Sequence, residues 1–303
     1  GDDADDPAAA EAARAEAVAA ARDADAVVVA VGEPPYAEGE GDTETAALPA
    51  PQAALIDALA ATGTPVVVVV IAGRPLVMNA QLDAADAALM AFLPGAEGGA
   101  AIADVVLGED EPGGRLPVSW PRSVDQAPLA YNEPGIAYDP RYPFGHGLSY
   151  APVDVADVRM PGRVGTDDTV RVAVRLVPEA GPVAATRTRG PGGRPGHGGG
   201  PGHGGGPRPG PGPGRPGGWP WPWPGGGGHD ATEQVVLAFV EGPDGARRLV
   251  AFDRERIGRH GGVATLTWDV ARLATTQASG ERVVVPGTYR LVVGDETRPF
   301  TVG

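Results

Sequence analysis

The chain has 303 residues, room for two domains of ordinary size, and a formal net charge of −15 with 24 Arg and no Lys. That balance excludes lysine Schiff-base chemistry and a phosphate-loop lysine, and it argues against a nucleic-acid partner. The absence of Cys removes disulfides, thiolate catalysis and cysteine-rich zinc sites, and no cofactor or metal is expected.

The chain opens with GDDADD and no initiator Met, which reads as the middle of a larger protein. Residues 8–23, dominated by Ala, Glu and Arg, are predicted to be a helix. An apolar strand follows over 26–31 and ends at Gly32. Beyond it lies a long loop with five carboxylates (Glu33, Glu38, Glu40, Asp42, Glu44) and Tyr36. Ligands bind outside the carboxyl ends of parallel strands, and loops of this length usually carry function.

A helix over 51–61, a buried strand over 66–71, a third apolar run over 87–93 and a short helix over 100–107 complete the first half. Strands alternating with helices predict a doubly wound, mostly parallel α/β sheet. Three strands are few for such a sheet, so an earlier portion is expected to be missing. The run at 65–72, the longest apolar stretch, is too short to cross a bilayer, and no membrane span is predicted. The turn at 94–99 between strand and helix reads as structural, because it lacks phosphate-loop spacing and places Glu97 where an anion would sit.

Residues 151–303 change character. Short Val-, Thr- and Arg-rich strands are predicted at 169–176, 234–240, 248–252, 263–268 and 288–293, the pattern of an all-β sandwich. A Gly- and Pro-rich stretch at 181–229 interrupts it, and this composition predicts disorder. The stretch is read as a swollen loop inside one sandwich. It contains His197 and His203, a weak metal-binding pattern, and Trp219, Trp221 and Trp223 alternating with prolines. A tolerated loop expansion is the favoured reading of this stretch; its five Arg and no acid make a positive tether to an anionic cell-wall polymer the alternative.

Four segments, VVVAVGEPPYAEGEGD, VVVVVIAGRPLVMN, the stretch from LMAFLPGAEGG to GGRLPVSWPRSVDQAP, and YDPRYPFGHGLSY, occur in this order. Together they resemble the second domain of family 3 glycoside hydrolases, the β-glucosidase and exo-glucanase group. The tail ERVVVPGTYRLVVGDETRPFTVG resembles the end of the fibronectin-like domain that follows it in many members. The resemblance implies an N-terminally truncated α/β sandwich domain at 1–150 and a fibronectin type III-like sandwich at 151–303. It also implies a nucleophilic Asp on a preceding (β/α)8 barrel that this sequence lacks.

In the exo-glucanase type the acid/base Glu lies in a Tyr-x-Glu-x-x-Gly-Asp motif, which maps here to Tyr36, Glu38, Gly41 and Asp42. The resemblance therefore makes Glu38 the acid/base, with Glu33 at the strand end as runner-up. Glu40, between two glycines, is poorly anchored. His146 and Asp125 read as structural. The implied function is release of terminal β-D-glucosyl units from a β-glucoside or β-glucan oligosaccharide, with the isolated chain inactive. The alternative is a non-catalytic module that binds glycan or cell wall. An extracellular or cell-envelope setting is expected over a cytoplasmic one.

Overall fold

In the computed structural model, which describes residues 7–132, 137–179 and 231–303, the Ala-rich N-terminal stretch is helix α1 (Pro7–Asp23). There follow β1 (Val27–Gly32), α2 (Ala50–Ala60), β2 (Val66–Ile71), α3 (Asn79–Ala84), β3 (Ala87–Met90) and α4 (Gly98–Leu107). The strands are parallel in the order β1-β2-β3, with Val27 opposite Val66 and Val67 opposite Ala87. Period-two alternation puts Val29, Val31, Val66, Val68 and Val70 into one core with Ile56, Leu59 and Leu82 from the helices. Two details differ from the sequence reading. The third apolar run stops being a strand at Met90, and Phe92 beyond it takes φ 52°. Helix α3 was not expected, because six residues are too few to show a helical period.

Strand β1 pairs only with β2 among the described residues. At its carboxyl end a side chain takes the place of a second neighbour. The Gln52 carboxamide accepts a hydrogen bond from Gly32 N at 2.8 Å and donates one to Gly32 O at 3.0 Å. The last residue before the acidic loop is thereby fixed from both sides, by β2 and by α2.

After α4, two of the segments singled out in the sequence pair with each other. Leu116 N donates to His146 O and Gly145 N to Leu116 O, both at 2.8 Å, and Arg141 N donates to Trp120 O at 2.7 Å. The Trp120 ring packs edge-on against Tyr142, and its Nε1 donates to Leu76 O at 2.8 Å. One indole therefore ties this ribbon to the α/β core.

The β-rich remainder comprises β4 (Val153–Arg159), β5 (Arg163–Val164), β6 (Thr169–Pro178), β7 (Ala231–Glu241), β8 (Arg247–Gly258), β9 (Gly262–Asp269), β10 (Thr275–Thr276), β11 (Arg282–Val283), β12 (Gly287–Val293) and β13 (Glu296–Val302). A five-stranded sheet, β5-β13-β12-β7-β8, faces a three-stranded one, β4-β6-β9. Val172, Val174, Val240, Leu266, Trp268, Leu291 and Phe300 meet in the core between them. All five strands expected from the sequence are present; the others went unread. Residues 181–229, with His197, His203, Trp219, Trp221 and Trp223, lie outside the described residues.

The two cores are joined by apolar and polar contacts. Tyr131 stacks on Phe144 at 4.5 Å, and both rings pack against Phe239. The buried Gln234 accepts from Arg115 Nη2 at 2.9 Å and donates to Ser149 Oγ at 2.9 Å.

Candidate active site

The acidic loop leaves β1 at Gly32, crosses the carboxyl end of the parallel sheet and forms a short 3-10 turn, Glu38–Gly41. Its order comes from the neighbouring strand. Arg74 stands just past the end of β2. It donates from Nη2 to Glu33 Oε1 at 2.7 Å and from Nε to both Glu33 oxygens at 3.2 and 3.1 Å. Its Nη1 donates to Gly41 O at 2.5 Å, and the guanidinium lies 4.9 Å from the centroid of the Tyr36 ring. Tyr36 also donates its hydroxyl to Glu33 Oε2 at 3.4 Å. The Glu33 hydrogen bond is the largest influence holding Arg74 more firmly protonated than usual. Burial opposes it, and the charges of Glu33, Tyr36 and Asp42 add to it.

The motif residues thus have separate physical jobs. Gly41 must be glycine because a Cβ there would overlap the Tyr36 ring. Gly73 is held small in the same way, since its Cβ would lie 3.1 Å from the Tyr36 hydroxyl. Tyr36 is therefore wedged between the guanidinium and two glycines. Glu38 opens the turn at φ 46°, a left-handed conformation that costs a non-glycine residue roughly 1 kcal/mol or more. Its side chain is exposed and makes no hydrogen bond or ion pair among the described residues.

The other non-glycine residues at positive φ, Ala46 (43°) and Phe92 (52°), lie on the loops leaving β1 and β3. Strain of this kind gathers at functional sites, and here it gathers at one end of one sheet. Beside Phe92, Leu93 is 76% exposed.

The structure places the two candidate carboxylates in different settings. Glu33 is largely withdrawn from solvent and engaged by Arg74, whereas Glu38 projects from the turn. Glu40 and Asp42 are exposed. No group of three or more acids or histidines with metal-site geometry occurs among the described residues, and no helix there is long and apolar enough to cross a membrane.

His146 is remote in role: its ring stacks on Tyr142 at 4.7 Å, and burial, with the nearby Arg115 charge, lowers its pKa. Asp125 sits exposed in a 3-10 turn, Val124–Gln126, whose neighbour Gln126 bonds Arg122 N and Asp139 O. Glu97 precedes α4 in a tight turn closed by Gly98 N donating to Gly95 O at 3.2 Å.

Sequence reasoning missed Arg74 and Gln52. The available signal was positional. A lone cation at the end of the adjacent parallel strand is well placed to meet the acids at the end of β1.

Residues 4–150 match the family described as the glycosyl hydrolase family 3 C-terminal domain. The periplasmic beta-glucosidase of Salmonella typhimurium is 42% identical over 132 residues, which cover 37% of this chain and 17% of that protein. The lysosomal beta glucosidase of Dictyostelium discoideum is 39% identical over 127 residues, covering 40% of this chain and 15% of that protein. The chain therefore matches less than a fifth of the length of either relative. Among solved structures, the beta-glucosidase of Listeria innocua in complex with glucose superimposes with a TM-score of 0.75 at 21% identity. That match covers 97% of this chain and 38% of the other, and it is a likeness of fold. Residues 4–150 of the chain are therefore a glycosyl hydrolase family 3 C-terminal domain.

Proposed function

We propose that this chain is the C-terminal part of a retaining β-glucosidase-type hydrolase, supplying the acid/base Glu38 while a barrel domain of the same polypeptide supplies the nucleophile. The observation that carries the reading is the contrast within one loop. Glu33 is consumed by Arg74, and Glu38 is held out in a strained turn with no partner among the described residues. A carboxyl offered in that way is suited to act on something brought to it.

The chemistry follows from retention. The partner carboxylate attacks the anomeric carbon, the bond to the leaving oxygen breaks, and Glu38 gives that oxygen its proton. Glu38, now ionised, then takes a proton from the water that displaces the enzyme carboxylate. The two carboxyl groups need to stand about 5–5.5 Å apart for this route. The exposed Glu38 leaves its side of the loop open for an apposed barrel to bring a second carboxylate to that distance.

On this reading residues 1–150 form the α/β sandwich domain, and residues 151–303 form a fibronectin type III-like sandwich that carries the 181–229 insert. Support comes from the two separate hydrophobic cores. The substrate is a β-glucoside or β-glucan oligosaccharide.

The test is hydrolysis of an aryl β-glucoside by the chain alone and by the chain joined to its barrel domain. The expected result is activity in the joined protein only. Turnover by the isolated chain, or none by the joined protein, would sink the reading.

A further inference from the structure

Resting on the assignment of Glu38 as acid/base, we infer that Arg74 is the positioning residue for its carboxyl group. It acts as a latch that one residue of β2 closes over the loop from β1. Three fixed points of that loop meet on a single guanidinium. The Glu33 carboxylate takes Nε and Nη2, the Gly41 carbonyl takes Nη1, and the Tyr36 ring lies against its face. Residues 36 and 41 bracket Glu38, whose own side chain makes no hydrogen bond or ion pair among the described residues. The direction in which Glu38 points is therefore set at second hand.

The geometry requires Arg. A planar guanidinium presents N–H groups along two edges at once and a flat face to an aromatic ring, whereas an ammonium is a point donor on a flexible stem. The latch is also mounted on the rigid side. Among the described residues, Arg74 follows β2, the central strand of the sheet, while the loop it holds follows β1, which has a neighbour on one side only. Holding a catalytic group from the stiffer element is what precise placement needs. The small residues at 41 and 73 fit the same scheme, because each leaves room for the ring that the guanidinium covers.

A residue that only supports the fold would lower the rate on every substrate alike. One that aims the general acid matters most when the leaving oxygen needs a proton. The experiment therefore compares kcat/KM on aryl β-glucosides whose phenols range from weakly to strongly acidic, in the full-length enzyme, for Arg74→Gln, Arg74→Lys and Glu38→Ala. In the isolated chain, amide hydrogen exchange of residues 36–42 is followed alongside.

For Arg74→Gln the expected loss is about 10²-fold in kcat/KM for the least acidic phenol and under about threefold for the most acidic, with little change in substrate affinity. Arg74→Lys recovers little of it. Amides 36–42 exchange faster in both variants, while the rest of the chain keeps its protection. If Glu38→Ala itself shows no dependence on the leaving group, the acid/base assignment fails. If Glu38→Ala shows it and Arg74→Gln loses rate uniformly, or the loop amides stay protected, the positioning role is overturned and the assignment stands.

Discussion

Arg74 and Glu33 stand 41 positions apart in sequence and share a bidentate contact, with Nη2 and Nε both donating to the carboxylate. The pair joins the loops at the carboxyl ends of two adjacent parallel strands. It also gives two acids that look alike in the sequence different settings, Glu33 paired and Glu38 exposed. Replacing Glu33 by Ala leaves a partly exposed guanidinium without its counter-charge and acceptors, which costs about 1 kcal/mol. Glu33→Gln, which keeps an acceptor, costs less. Urea denaturation of the two variants reads the difference, and equal stability of Glu33→Ala and wild type would contradict a structural role for Glu33.

Gly41→Ala is expected to disturb the loop more than the size of one methyl group suggests. The added Cβ meets the Tyr36 ring, one face of which is covered by Arg74. Overpacking of this kind costs about 1–3 kcal/mol. Gly39→Ala meets nothing within 4 Å and serves as the control. A thermal-melt comparison of the two variants checks the difference.

His146 makes stability depend on pH. Its folded-state pKa lies below the ordinary value of 6.5, chiefly because burial disfavours the imidazolium and secondarily because Arg115 repels it. A depressed value means that the unfolded chain binds the proton more readily. The contribution is therefore present above pH about 6.5 and is lost as pH falls through the folded-state value. Stability measured by urea denaturation is expected to decline over that acid range. In His146→Phe, which keeps a ring to stack on Tyr142, this part of the slope disappears. An unchanged slope would show that His146 is not its source.

Two buried tryptophans make a paired test. The Trp120 Nε1 donates to Leu76 O at 2.8 Å, whereas the Trp268 Nε1 is buried with no partner among the described residues. Phe at either site removes similar volume. At 120 it also strands a carbonyl, and at 268 it removes an unsatisfied donor. Trp120→Phe is expected to destabilise its core by about 1–2 kcal/mol more than Trp268→Phe does. Calorimetry of both variants measures this.

The parallel core was legible because its strands are nearly unbroken apolar runs, and 66–71 was read with the bounds that the structure gives it. Elements whose pattern is broken went unread. Strand β4 alternates Val with polar residues, but a register shift between Val155 and Asp157 interrupts the period. Strand β13 contains Pro299, which argues against a strand. It is tolerated because its nitrogen faces the side of β5, whose pairing reaches only Thr301 and Val302. The motif singled out Glu38 as the proposed acid. Its support was not legible, because the latch is a tertiary contact between residues on separate loops, and no local spacing marks Arg74 as the partner of Glu33.

Azide rescue of Glu38→Ala in the full-length enzyme tests the central claim most directly. With an activated aryl β-glucoside the glycosyl-enzyme still forms, but its breakdown lacks a base to deprotonate water. The azide anion needs no such help. On unactivated substrates a loss of about 10²–10⁴-fold is expected. Azide is expected to raise kcat on the activated substrate and to yield a β-glucosyl azide, the retained configuration. If azide has no effect and the loss is the same on every leaving group, Glu38 is not the acid/base.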